Sequence, residues 1–155
     1  MDFSNSQRRE IFKKTLRQGT VFRLKGSQPF PSDKYHVFIV LNYDPQSGDF
    51  IYVANGISNY HKCLQVLHMQ GIDSNTTTVR IPPEKYSFFP KETMINCNNL
   101  SRVRLETIDF TTSDIQIMHG QEIKGDDLQK IKDALCSSTK VSPHIKKLVD
   151  PAFGN

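Results

Sequence analysis

Short segments rich in β-branched and aromatic residues, each ended by a turn signal, recur between residues 20 and 108. The longest is residues 34–42 (KYHVFIVLN), and a turn at residues 44–48 (DPQSG) connects it to residues 50–54 (FIYVA). We therefore predict that these two segments form a β-hairpin. Other strands are predicted around Val21, Phe22 and Leu24 and at residues 62–69, 78–81, 94–97 and 103–108.

The segments between these strands cannot continue a sheet. Residues 26–33 (GSQPFPSD) carry two prolines and predict a surface loop, because proline donates no hydrogen bond to a central ladder. Residues 71–77 are polar and predict a turn. Many short strands with few helices among them favour a barrel or a sandwich over alternating βαβ units.

Helical patterns lie at both ends of the chain. Residues 4–18 combine an N-cap at Ser4 or Asn5 with apolar residues at helical spacing, and Gly19 stands where the chain leaves the helix. Residues 125–135 begin with an acidic first turn and carry one apolar stripe. Ser142 followed by Pro143 predicts the start of a last helix. These patterns place helices at residues 4–18 and 125–150, around a β region at residues 19–118.

Length and composition predict the class of protein. A chain of 155 residues is the usual size of one domain, and we expect residues 1–155 to form a single one. No segment approaches the roughly 20 apolar residues of a membrane-spanning helix. Cys63, Cys97 and Cys136 are widely spaced and match no zinc pattern. We therefore expect a cytoplasmic protein with no membrane association, metal or cofactor. The net charge of +4 is compatible with a polyanionic partner, and equally with none.

Several stretches, taken in their order, resemble the MazF/PemK (Kid) family of toxin ribonucleases, in the CcdB/PemK superfamily. They are residues 35–42 (YHVFIVLN), 49–58 (DFIYVANGIS), 84–109 (EKYSFFPKETMINCNNLSRVRLETID) and 119–135 (HGQEIKGDDLQKIKDAL). The resemblance covers about residues 19–136 and implies a mainly β (α+β) fold. This fold would be a small SH3-like β-barrel with an N-terminal helix and C-terminal helices.

The resemblance also implies a reaction. Members of the family cleave RNA without metal, by attack of a ribose 2′-hydroxyl on its own phosphate, which requires an acid, a base and a cation. Lys34 or Tyr35 stands where the family has an arginine, and Ser58 stands where it has a threonine. His36, His61 and Tyr60 are the candidate proton carriers, and histidine is the side chain that titrates closest to cellular pH. A turn-forming role for Ser58 is equally compatible with its position.

A second group of residues is expected to bind RNA. Phe30 would stack on a base, although it would equally well pin its loop to the barrel. Tyr60 and Lys62 lie near the predicted site in the sequence. Asn96 and Asn98 stand where some family members carry an arginine and an aspartate, and amides cannot exchange protons near neutral pH.

The resemblance therefore implies the toxin of a type II toxin-antitoxin pair, a metal-independent endoribonuclease that cleaves single-stranded RNA. Its expected partners are single-stranded RNA, an antitoxin protein and a second copy of itself in a homodimer. The alternative is a non-catalytic module of the same fold, which would bind RNA without cleavage or act on a protein, as CcdB toxins do. The distances of His36 and His61 from Ser58 distinguish these hypotheses.

Overall fold

The computed structural model describes residues 3–48 and 50–155; Met1, Asp2 and Asp49, which belong to predicted segments above, lie outside the described residues. The fold is α+β, with seven strands and five helices in the described part. The strands are β1 (Thr20–Gly26), β2 (Ser32–Val40), β3 (Phe50–Ile57), β4 (Thr78–Ile81), β5 (Thr93–Asn96), β6 (Ser101–Arg104) and β7 (Ile115–Glu122). The helices are α1 (Asn5–Thr15), α2 (His61–Met69), α3 (Ser74–Thr77), α4 (Asp126–Ser137) and α5 (Pro143–Val149).

All seven strands belong to one antiparallel sheet. Their order is β4-β5-β3-β2-β1-β7, and β6 also pairs with β3. Strands β4 and β7 lie at the two ends of this order, and no pairing among the described residues joins them. The mainly β, α+β class expected from the sequence is confirmed, and the sheet is not closed into a barrel.

The sheet has an apolar core on each face, because side chains alternate along each strand. Phe22 and Phe38 lie on the face covered by α1, where the ring of Phe12 packs against that of Phe22. Val21 and Ile39 lie on the other face, in a cluster that includes residues of α4 and α5. Each fully buried apolar side chain contributes about 1.5–3 kcal/mol to folding.

The N-terminal helix begins where the sequence predicts and ends earlier. Ser4 is the N-cap and forms a capping box with Gln7, whose backbone N–H donates to the Ser4 hydroxyl over 3.2 Å. The helix ends at Thr15 rather than at residue 18, since Leu16 already has an extended backbone (φ −68°, ψ 132°) and places its side chain in the core. The side chain of Gln18 then donates to the backbone oxygens of two residues in neighbouring segments, Leu41 and Val149.

Most of the predicted elements are confirmed, among them the β2–β3 hairpin, β4 and the C-terminal helices. The prediction of a strand at residues 62–69 is wrong, because this segment is helix α2. Its buried or half-buried residues are Cys63, Leu64 and Leu67, which follow a helical rather than an alternating spacing. Residues 71–77 are not only a turn, since they contain the short helix α3.

Two further boundaries differ from the predictions, and one observed strand was not predicted. Strand β2 begins at Ser32, so the loop predicted at residues 26–33 is shorter. The strand predicted at residues 103–108 ends at Arg104 and continues as a single turn of 3-10 helix. Strand β7 has no counterpart among the predicted strands, because its sequence carries no continuous apolar face. All of its side chains except that of Ile115 are exposed or half-buried, and pairing with β1 holds the strand in the sheet.

Candidate nucleic-acid interface

Strands β2 and β3 diverge, and their divergence creates a cleft. Residues 38–40 of β2 pair with residues 53–55 of β3. Beyond this point Gly56 and Ile57 pair with β5 instead, so the first half of β2 has only β1 as a strand neighbour among the described residues. A cleft of about 590 Å³ opens between the two strands. We call it the wedge cleft.

The wedge cleft is positively charged. Its lining includes the side chains of two basic residues, Arg23 of β1 and Lys91 of the loop before β5, and no aspartate or glutamate. Neither Arg23 nor Lys91 forms an ion pair with any residue in the described part of the chain. Two cations without internal partners form an environment that favours a phosphate or another anion.

Aromatic and polar groups complete the cleft. Phe88 and Phe89 form part of its wall, and a Cβ atom on Gly56 would lie 2.7 Å from a ring carbon of Phe89. Gly56 therefore allows the Phe89 ring to approach the end of β3. The side-chain oxygen of Asn55 is buried and has no hydrogen-bond partner within the described residues. The exposed Ser58 adds a hydroxyl to the same cleft.

Tyr35 and His36 both line the wedge cleft, but their side chains leave β2 on opposite faces of the sheet. Arg23 pairs directly with Val37, so the guanidinium lies on the Tyr35 face. The hydroxyl of Tyr35 donates to the backbone oxygen of Ser113. Tyr35 therefore shares a face with the cation, and His36 does not.

The His36 ring is held on the other face by three neighbours. Its centroid lies 5.1 Å from that of Phe30 and 6.3 Å from that of Phe38. Its Nε2 atom lies 3.0 Å from the hydroxyl oxygen of Ser32. Phe30 therefore packs against the sheet through His36 and Phe38, as expected if it pins its loop.

The remaining predicted catalytic residues lie outside the lining of the wedge cleft. Lys34 is exposed on β2. His61 is exposed at the start of α2, with its ring 5.5 Å from the Tyr60 ring. The Tyr60 hydroxyl donates to the carboxylate of Glu92, and this hydrogen bond is the main reason why the pKa of Tyr60 is raised.

Lys62, Asn96 and Asn98 line a second cleft of about 560 Å³. The Asn96 amide donates to the thiol of Cys63 over 3.4 Å, and its oxygen accepts from the Asn98 backbone N–H over 3.0 Å. The Asn98 oxygen accepts from the hydroxyl of Ser138 over 2.6 Å. These amides are held by internal hydrogen bonds. Of the predicted RNA-binding residues, three line the second cleft (Lys62, Asn96 and Asn98), whereas Phe30 and Tyr60 line neither cleft.

Tyr35, His36 and Ser58 are therefore the predicted site residues that the structure brings together. Sequence reasoning missed Arg23, although a charged residue within the apolar segment VFRL was a usable signal. It also missed Lys91, for which the sequence offers no comparable signal, because its position in the cleft depends on the path of a loop.

The sequence matches no protein-family model and no curated protein. Within residues 3–48 and 50–155, no group of three His, Cys, Asp or Glu side chains is arranged to hold a metal ion. None of the helices in the same ranges has the length and apolar character needed to cross a membrane.

Proposed function

We propose that this protein binds single-stranded RNA in the wedge cleft. The observation that carries the proposal is the pair of cations, Arg23 and Lys91, in a cleft that no carboxylate lines. Phosphates of the RNA would contact these side chains, while Phe88 and Phe89, each 3% exposed, support the wall of the cleft from beneath its surface.

Metal-independent cleavage of the RNA is the second candidate function. It is favoured by the presence of Arg23, Tyr35 and Ser58 in one cleft, since these side chains supply a cation and two hydroxyl groups. Cleavage near neutral pH also needs a proton carrier. His61 lies outside the cleft lining, and the His36 ring leaves the sheet on the face opposite Arg23. Binding is therefore the function that the geometry favours.

Membership of the MazF/PemK-like toxin family is part of the same proposal. It is supported by the order of the strands and by helix α4, which follows the last strand. The split of the sheet at the wedge cleft is compatible with a distorted SH3-like barrel. Under this proposal, the partners are an antitoxin and a second copy of the chain in the cytoplasm. A protein target of the CcdB kind is the outcome if RNA does not bind.

The test is a binding titration of the full chain with fluorescein-labelled single-stranded RNA, measured by fluorescence anisotropy. We expect Arg23→Met and Lys91→Met each to weaken binding about tenfold, and to lower the slope of log K against log salt by about 0.7. Lys14→Met removes the same charge from the exposed surface of α1 and is the matched control. Equal effects of all three substitutions, or no binding at low salt, would refute the proposal.

A parallel incubation distinguishes binding from cleavage. The full chain is mixed with a long single-stranded RNA in EDTA, and the products are analysed for cyclic-phosphate ends. Intact RNA, together with measurable binding, supports the binding function. Fragments with cyclic-phosphate ends that disappear in Ser58→Ala or Tyr35→Phe would establish the ribonuclease instead.

A further inference from the structure

The second cleft lies between α2 and the turn that follows β5. Lys62 on α2 and Lys140, between α4 and α5, contribute its cations, and we call it the lysine cleft. No aspartate or glutamate lines it, and neither lysine forms an ion pair with another described residue. An anion is therefore the complementary ligand of this cleft as well.

A hydrogen-bond network preforms the polar wall of the lysine cleft. The Asn98 amide donates to the Thr77 hydroxyl over 2.8 Å, and the Asn98 oxygen accepts from the Ser138 hydroxyl over 2.6 Å. The Ser138 oxygen in turn accepts from the backbone N–H of Lys140 over 3.1 Å. The network thus connects the amide wall to the backbone of one of the two lysines, so the backbone of Lys140 is held in place at the edge of the cleft.

The opposite wall of the lysine cleft is apolar. It is formed by Val66, Leu67 and Ile72, and Val66 is 49% exposed although it is fully aliphatic. A ligand that fits both walls has an anionic group and a flat apolar face with polar edges. A nucleotide has this composition, because the phosphate is anionic and every base has an apolar face. An inorganic anion would leave the apolar wall uncovered.

The two clefts lie close enough for one RNA strand to reach both. Asn59 lines the wedge cleft and Lys62 lines the lysine cleft, and both residues are exposed where the chain leaves β3 and begins α2. A separation of three residues places their Cα atoms no more than about 11 Å apart. A stacked strand advances roughly 3.4 Å per nucleotide, so about three nucleotides span this distance.

We propose that the lysine cleft is a second nucleotide subsite for the single-stranded RNA that occupies the wedge cleft. This inference rests on the proposed RNA-binding function and adds a prediction of its own. A short RNA fills only one cleft, whereas a longer RNA fills both and gains the contacts with Lys62 and Lys140. Affinity therefore depends on RNA length, and the two lysines are responsible for the dependence.

The test uses the full chain and labelled oligouridylates of roughly two and roughly nine nucleotides, with affinities measured by anisotropy. The shorter RNA is too short to span the two clefts. We expect the longer RNA to bind at least about tenfold more tightly than the shorter one. In the double variant Lys62→Met/Lys140→Met, the ratio of the two affinities should fall towards one. The double variant Lys14→Met/Lys147→Met removes two exposed lysines elsewhere and should retain the ratio of the unmodified protein.

The outcomes separate this inference from the function on which it rests. Binding of both RNAs that is sensitive to Arg23→Met, with the same length dependence in both lysine double variants, would refute the second subsite and leave the proposed function intact. No binding of either RNA would refute the proposed function and the subsite together. Loss of the length dependence in Lys62→Met/Lys140→Met alone would establish the subsite.

Discussion

Asp127 on α4 and Lys85 in the loop before β5 form an ion pair, with 2.8 Å between the ammonium nitrogen and a carboxylate oxygen. The Tyr86 hydroxyl donates to the same carboxylate over 2.7 Å. Burial alone would raise the pKa of Asp127, but the hydrogen bonds from Lys85 and Tyr86 more than offset this effect and hold the pKa below its usual value. These contacts tether the loop that carries Phe88 and Phe89 to the rest of the fold.

Asp127→Asn should reduce the free energy of unfolding by about 1–2 kcal/mol at neutral pH, because it removes charged hydrogen bonds at a buried site. A carboxyl with a depressed folded-state pKa stabilises the protein above its unfolded pKa of about 3.9, and the contribution is lost as the pH falls through the folded-state value. Urea unfolding at a series of pH values measures this pH-dependent contribution of Asp127 to the free energy of unfolding. Asp126→Asn, on the exposed side of the same helix turn, is the control, and an equal effect of both substitutions would contradict the prediction.

Gly19→Ala should be strongly destabilising. Gly19 has φ = +94°, and an added Cβ would lie 2.1 Å from the backbone oxygen of Ile123. The hydrogen bond that the Ile123 N–H donates to the Gly19 oxygen over 2.8 Å must therefore open. We expect a loss of about 3 kcal/mol or more in urea unfolding. Gly120→Ala is the matched control, because Gly120 also has a positive φ but no atom within 4 Å of the added Cβ. If Gly19→Ala lowers the free energy of unfolding by no more than Gly120→Ala does, the backbone contact between residues 19 and 123 is not rigid.

Gly56→Ala should weaken RNA binding as well as stability. The added Cβ would lie 2.7 Å from a ring carbon of Phe89 and 3.1 Å from the methyl group of Thr93, so the aromatic wall of the wedge cleft must move. Overpacking of this kind costs about 1–3 kcal/mol. The measurements are urea unfolding and RNA anisotropy. Gly48→Ala is the control and should change neither stability nor RNA affinity, because the nearest atom would lie 3.7 Å from the added Cβ. If Gly56→Ala leaves RNA affinity unchanged, the position of Phe89 does not matter for binding.

Cysteine labelling should report on the lysine cleft and on the core. Burial raises the pKa of Cys97 to about 12, so iodoacetamide should not modify this thiol until the protein unfolds. Cys63 and Cys136 are half-buried, and burial is also the main cause of their raised pKa values, so both should react slowly. Mass spectrometry of alkylated peptides measures the three rates.

RNA long enough to reach the lysine cleft should protect Cys63, which lines that cleft, and leave Cys136 unchanged as an internal control. Equal protection of both thiols would indicate a general effect of RNA rather than occupation of the cleft. Protection of Cys63 by the short RNA would contradict the assignment of the lysine cleft to the far end of the strand.

Local signals in the sequence predicted the elements whose ends are determined by nearby residues. Ser4 caps α1 because its hydroxyl reaches an N–H three residues away, and the Ser142-Pro143 start of α5 has the same local cause. β4 ends before two prolines, as predicted. The apolar segment of α2 was ambiguous, because nine residues are too few to distinguish a strand from a helix without knowledge of the neighbouring elements.

The sequence by itself determined a mainly β chain with helices at its ends, because period, caps and turns depend on residues only a few positions apart. The tertiary structure alone decided where the clefts lie. The end of β3 pairs with β5 and is thereby separated from β2. Because of this long-range pairing, Arg23 and Lys91 line one cleft and Lys62 lines another. No local pattern carries that information, since the choice between competing strand partners depends on the packing of the whole sheet.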